Sequence, residues 1–265
     1  MPVQAHDAQA PRSAPTGVYV YGILPGDIEL EPGTTGVGDP AAEVRLVRQG
    51  DLAALVSDVD PAEPLGRPED LYAHRELLDA IATEMPVLPL RFGAVVTGDD
   101  AVANELLGAH HDEFATALGQ LEGHVEYVVR GRYAEDAILR EVLEENPRVA
   151  RLGEQIKDAD PDATRGARME LGEIISNAVA AKRAQDTATL IDAAAPSVAD
   201  SVLRPPGHEL DAVYTAFLVA EDAAKDLEKA VRRLARDWEG RIELQLTGPL
   251  AAYDFVGAPD QAAVS

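Results

Sequence analysis

The residues able to do chemistry are present but poorly grouped. His110 and His111 are adjacent and His124 follows, a set that raises the question of a metal site. Neighbouring residues on a helix point about 100° apart, so the first two would not share one ion. No H-E-x-x-H pair occurs, and no metal is expected. Ser57, Ser176, Ser197 and Ser201 all lack the G-x-S-x-G context of a nucleophile elbow. Carboxylate pairs such as Asp99-Asp100, Glu144-Glu145 and Asp158 with Asp160 are frequent, but the chain carries 47 acidic residues. In that background they read as solvated faces rather than an acid–base pair. The run DADPD at 158–162 lacks the glycine and distal glutamate of a calcium loop. Neither G-x-G-x-x-G nor a P-loop is found, and the chain has no cysteine, which removes thiolate metal sites and cysteine catalysis. No catalytic residue and no cofactor is expected; the inventory points to a binding or assembly protein.

Three stretches could make contacts instead. The first is PVLPLRFG at 86–93, where two prolines bracket an apolar pair before Arg91, Phe92 and Gly93. Proline cannot donate to a sheet ladder, so this run belongs at a sheet edge or a strand entrance. In a strand, Arg91 would face away from Leu90 and Phe92. Its simplest role is structural, paired with a carboxylate; its functional role is presentation to a partner. On the first reading, Arg91→Ala would lower stability more than partner binding. The second stretch is Lys182-Arg183 on a long helix, read as surface with an option on partner contact. The third is Tyr253 and Phe255 in the closing loop LTGPLAAYDFV, which either staple the chain end back onto its domain or form a docking patch.

The bulk numbers bound the class. With 265 residues, 46% of them apolar, the chain can bury one large or two ordinary cores. The formal net charge is −24, which argues against nucleic acid and against an anionic membrane as partners. The first residues, MPVQAHDAQAPRSAP, show no apolar core of a secretory signal, and no window approaches a membrane span. A cytoplasmic location is expected.

The elements follow from periodicity. Residues 1–16 read as a disordered tail and 257–265 as a flexible one. Residues 17–24 alternate as a strand, with Tyr19, Tyr21 and Ile23 sharing a face. Residues 43–48 and 52–57 form a hairpin. A helix from Pro68 to Met85 carries Leu71, His74, Leu78, Ile81 and Met85 on one stripe, making His74 a packing histidine. A helix through Leu107 and another to Leu121 follow the 86–93 strand. Beyond Gly123, a strand at 124–133 puts Val125, Tyr127 and Val129 inward and Glu126, Arg130 and Arg132 outward. Then come a helix at 134–145 interrupted by Asn146-Pro147, a long helix at 161–194, strands at 197–204 and 210–220, a helix to Trp238 and a strand at 242–247. The expectation is an α+β chain of two domains. Residues 17–122 form a small mixed sheet with helices; residues 123–256 form a ferredoxin-like domain with a helical insertion in its first crossover.

Four segments together resemble the gas vesicle protein family GvpF/GvpL: VYVYGI at 18–23, VLPLRFG at 87–93, Lys182-Arg183, and LTGPLAAYDFV at 246–256. The likeness covers about 17–256, with Leu250-Ala251-Ala252 standing where the family often has Trp-Pro-Pro. It implies a non-enzymatic accessory protein of gas vesicle assembly, built of two α+β domains. It also implies partners: the hydrophobic shell protein and other vesicle accessory proteins. The residues singled out for contact are Arg91, Phe92, Lys182, Arg183, Tyr253 and Phe255. Covering a partner's apolar face would keep it from aggregating. The competing reading is a small-molecule enzyme or ligand sensor with Arg91, His74 or Tyr127 lining a pocket.

Overall fold

The computed structural model describes residues 17–60, 62, 65–157, 159–160 and 163–256; both tails read from the sequence lie outside them. Two compact units are formed. The first ends at Glu122 and takes the chain up again from Leu250; the second is Gly123–Pro249. The closing segment therefore groups with the first unit, where the sequence reading had left it in the second.

In the first unit β1 (Gly17–Pro25), β2 (Val44–Gln49), β3 (Leu52–Val59), β4 (Leu88–Pro89) and β5 (Val95–Val96) make one sheet. Its order is β2-β3-β1-β4, with β5 also on β1. Every one of these pairings is antiparallel, which corrects the expected mixed sheet. Short connections suffice for antiparallel neighbours, whereas a parallel pair needs a crossover of a dozen residues or more. The register of β1 on β3 slips between Val20 and Gly22. Tyr21 is the extra residue of this bulge, and the faces exchange beyond it. Leu24, not Ile23, therefore joins Tyr19 and Tyr21 in their core cluster.

Helix α1 (Pro68–Ala82) lies against this sheet. Its buried residues are Asp70, His74, Leu78 and Ala82, so the stripe is turned from the one expected and Leu71 is 51% exposed. The turn at Gly66-Arg67 causes this. The Asp70 carboxylate accepts the backbone N–H groups of Gly38, Gly66 and Arg67, and the Arg67 guanidinium too. Burial pushes this carboxyl up, but those donors outweigh it and hold it at about 2. After β5 the chain runs through a π-helical stretch, Ala101–Gly108, into α2 (His111–Leu121).

The second unit holds β6 (His124–Tyr133), β7 (Asp200–Leu203), β8 (Asp211–Ala220) and β9 (Ile242–Leu250) in the order β7-β8-β6-β9. Strand β8 runs antiparallel to β6 and to β7. Between β6 and β7 come α3 (Glu135–Glu145), α4 (Pro147–Ile156) and α5 (Arg165–Ala194); α6 (Ala224–Asp237) joins β8 to β9. The core gathers Val125, Tyr127 and Val129 with Val213, Phe217, Leu190, Leu227 and Trp238. Glu126 does not face water as expected. It is buried and bonded to the Arg204 guanidinium at 2.9 Å. Both faces of β6 and β8 are covered, so alternation alone misplaces a buried charge that is paired.

Thr215 sits at the centre of β8, and its buried hydroxyl has no hydrogen-bond partner among the described residues. A hydroxyl taken out of water without a partner is destabilising. Thr215→Val keeps the shape and removes the oxygen, so the urea midpoint should rise by the equivalent of about 1 kcal/mol.

Candidate partner-binding site

The PVLPLRFG stretch is a braced turn rather than a strand. Only Leu88 and Pro89 pair with β1, opposite Ile23 and Gly22. Leu90 N–H still donates to Tyr21 O at 2.8 Å, and the chain rejoins β1 where Val20 N–H donates to Ala94 O at 2.9 Å. Between these anchors Arg91 leaves the sheet and Phe92-Gly93 turn the chain, with Gly93 at φ 95°. A side chain at that φ is strained, which accounts for the glycine.

His74 and Tyr19 hold the turn from beneath, and both are buried. His74 Nε2 lies 3.2 Å from Leu90 O. A carbonyl can only accept, so Nε2 carries the hydrogen. The other nitrogen, Nδ1, then accepts the Tyr19 hydroxyl at 2.8 Å. Tyr19 Oη in turn receives the Gly93 N–H at 3.2 Å. Burial pushes the His74 imidazole down to about 4, only partly offset by its bond to Leu90 O, so it is neutral at pH 7. Rings complete the bracing. Phe92 meets both Tyr19 and His74 edge-on, at 5.9 and 5.7 Å, and Tyr21 stacks on His74 at 5.6 Å.

Arg91 is exposed and has no carboxylate partner among the described residues. This overturns the structural pairing expected of it. It also sets Arg91 apart from the other described arginines of its unit. Arg45 bonds Asp58 and Asp99, Arg48 bonds the carbonyls of Gly26 and Ile28, Arg67 bonds Asp39 and Asp70, and Arg75 meets Asp79. The site is thus one uncommitted guanidinium held on a rigid turn above a Tyr-His-Phe cluster.

The other candidates do not join it. Lys182 is only 14% exposed and is clasped by Glu141 and Glu145. It belongs to a network in which Arg241 bonds Glu141 and bidentately Asp186, while the Tyr133 hydroxyl donates to Asp186 at 2.6 Å. Arg183 reaches the carbonyls of Asp211 and Glu209. The surface positions expected for this pair are therefore corrected: internal carboxylates and carbonyls occupy both cations. Tyr253 packs on the first unit's core, 6.4 Å from His74, and Ala251 N–H donates to the half-buried Asp79 carboxylate at 2.9 Å. The closing loop is thus stapled through Tyr253, with Phe255 half-buried beyond it. The histidines at the start of α2 face separate acids, His110 just before it towards Glu113 and His111 towards Asp51 and Asp112. Sequence reasoning missed Tyr19, whose signal was its alternation with Tyr21 in a strand preceding a helical histidine.

Two antiparallel sheets dressed with helices in this way are an architecture already solved. The crystal structure of gas vesicle protein GvpF from Anabaena sp. PCC7120 superposes with a TM-score of 0.76 at 20% identity, over 91% of this chain and 98% of that one. GvpF from Microcystis aeruginosa gives 0.73 at 19% identity, over 90% and 98%. These likenesses establish the fold. The family model described as "Gas vesicle synthesis protein GvpL/GvpF" matches residues 17–257. Gas vesicle protein F of Streptomyces sp. (strain CB03234) is 35% identical over 90% of this chain and 98% of its own length. Gas vesicle protein L of the same strain is 30% identical over 92% and 94%. The chain belongs to the GvpL/GvpF family of gas vesicle synthesis proteins. No helix among the described residues is long and apolar enough to cross a membrane.

Proposed function

We propose that this protein is a non-enzymatic assembly factor that binds the hydrophobic shell protein and other gas vesicle proteins in the cytoplasm, and that the Arg91 turn is one point of contact. Family membership over nearly the whole chain supports the assembly role. The observation that carries the contact is the exposed Arg91, without a carboxylate partner among the described residues, on a turn braced at both ends. Such a guanidinium is available to a carboxylate on another molecule without reorganising its own backbone. The strand order β7-β8-β6-β9 is that of a split β-α-β sheet, which supports the ferredoxin-like reading of the second unit, with α3, α4 and most of α5 as the insertion.

The enzyme reading draws less support. An apolar groove of about 390 Å³ lies along α5, lined by Ala184, Ile191 and Val213 with Arg183, Arg204 and Asp211. Its charged groups are spent on Glu126, on Arg130 and on backbone carbonyls and N–H groups. His74 and Tyr127, the other residues named for such a pocket, are buried in different units.

The test is co-purification with the shell protein. Arg91→Glu should lower retention about tenfold, or about 1.4 kcal/mol. Its unfolding midpoint should stay within about 0.5 kcal/mol of the unsubstituted protein, as for a surface change. Undiminished retention would remove Arg91 from the interface. Failure of the unsubstituted protein to retain the shell subunit would overturn the assembly-factor reading itself.

A further inference from the structure

We infer that His74 and Tyr19 are positioning residues for partner docking: together they set the conformation in which the turn offers Arg91. This rests on the reading of that turn as a contact. The geometry is reciprocal. The two residues flanking Arg91-Phe92 are Leu90 and Gly93. The first gives its carbonyl to His74 Nε2–H, and the second gives its N–H to Tyr19 Oη. The bond between Tyr19 and His74 Nδ1 joins these two holds into one. Phe92, between them, closes the ring contacts from the turn's own side. No other side chain is described bonding the backbone of residues 90–93.

The arrangement works with only one protonation state. A hydrogen on Nδ1 would drive the Tyr19 hydroxyl hydrogen away and compete with Gly93 N–H for Tyr19 Oη. The titratable groups facing the imidazole are the phenols of Tyr19 and Tyr21 from β1 and of Tyr253 from the closing segment. Asp70, one turn earlier on α1, is the carboxylate that acts on both β1 phenols. No carboxylate among the described residues bonds the ring, and the bond to Leu90 O only partly offsets the cost of charging it in its buried place. The sign follows. A histidine whose folded-state value is depressed keeps its full contribution above about 6.5 and loses it as pH falls towards 4.

The experiment follows the Gly93 amide by hydrogen exchange in the whole protein and, in parallel, shell-protein retention. In Tyr19→Phe, Gly93 should exchange at least tenfold faster at pH 7 while the Leu90 amide, bonded to Tyr21 O, stays protected. Retention should fall at least threefold. Lowering the pH of the unsubstituted protein should free the Gly93 amide in step with protonation of the His74 ring. In His74→Gln, whose amide can still donate to Leu90 O, that step should vanish. Gly93 protection unchanged in Tyr19→Phe, or indifferent to His74 protonation, overturns the inference. Arg91→Ala separates the two claims. If it binds normally, the contact reading fails on its own. If it fails to bind while Tyr19→Phe binds fully, the contact stands and the positioning role does not.

Discussion

Asp211→Ala is expected to lower the stability of the second unit by about 2–4 kcal/mol, mostly the cost of leaving two backbone donors without an acceptor, since the Arg130 side chain is 39% exposed and can turn to water. Asp211 starts β8 and is 1% exposed. Its carboxylate takes three bonds from Arg130, at 3.0, 3.1 and 3.2 Å, and the N–H groups of Gly207 and His208, both at 2.9 Å. Burial pushes this carboxyl up, and these donors more than reverse it, holding it below the usual carboxylate range. Alanine would orphan two backbone donors and leave Arg130 over the Tyr214 ring with no counter-charge beneath it. The readout is direct, because the chain has a single tryptophan, Trp238, and it lies in this unit's core. Its fluorescence should report a urea midpoint shifted by that amount. A shift below about 1 kcal/mol would mean that the turn at 207–211 finds other acceptors.

Gly36→Ala should cost the first unit about 3 kcal/mol, the upper end of ordinary overpacking. A methyl group there would stand 1.9 Å from Tyr21 Oη and 2.5 Å from its Cζ. Tyr21 cannot step aside. It is fully buried, its hydroxyl receives Val37 N–H at 2.8 Å, and Ser57 Oγ lies 2.9 Å away. The close approach of residue 36 is what lets the next amide reach that oxygen. Tyrosine near-UV circular dichroism during urea unfolding should show the lowered midpoint. Gly119→Ala is the contrasting variant, since it sits in α2 with open space around it. A helical glycine to alanine change should raise the midpoint by about 0.5–1 kcal/mol. If both variants behaved alike, packing around Tyr21 would not be the cause.

The sequence disclosed what periodicity controls. The strands and long helices of the second unit fall where alternation and 3–4 spacing put them, because each buries one face. What it concealed depends on partners distant in the chain. The bulge at Tyr21 leaves no mark on the pattern VYVYGIL, yet it decides that Leu24 rather than Ile23 shares the Tyr19 face. Lys182 and Glu126 look solvated because their counter-ions, Glu145 and Arg204, are 37 and 78 residues away. Helix α4 was legible and missed. Asn146-Pro147 reads as an interruption, but Asn146 caps the new helix by accepting Arg148 N–H, and Pro147 fills its first turn. Of the site, Arg91 and Phe92 were marked by composition. The fact that Arg91 is unpaired while the Lys182-Arg183 pair is spent internally was not.

One feature of chain order governs how the molecule is made. The first unit begins at the start of the described chain but lacks Ala251 and Tyr253 until the whole of the second unit has been synthesised. On the ribosome, everything needed for the second unit emerges earlier than the last pieces of the first. Translation must therefore pass Tyr253 before the platform beneath Arg91 is whole, so a chain stalled or clipped near Pro249 would carry the turn without its closing staple.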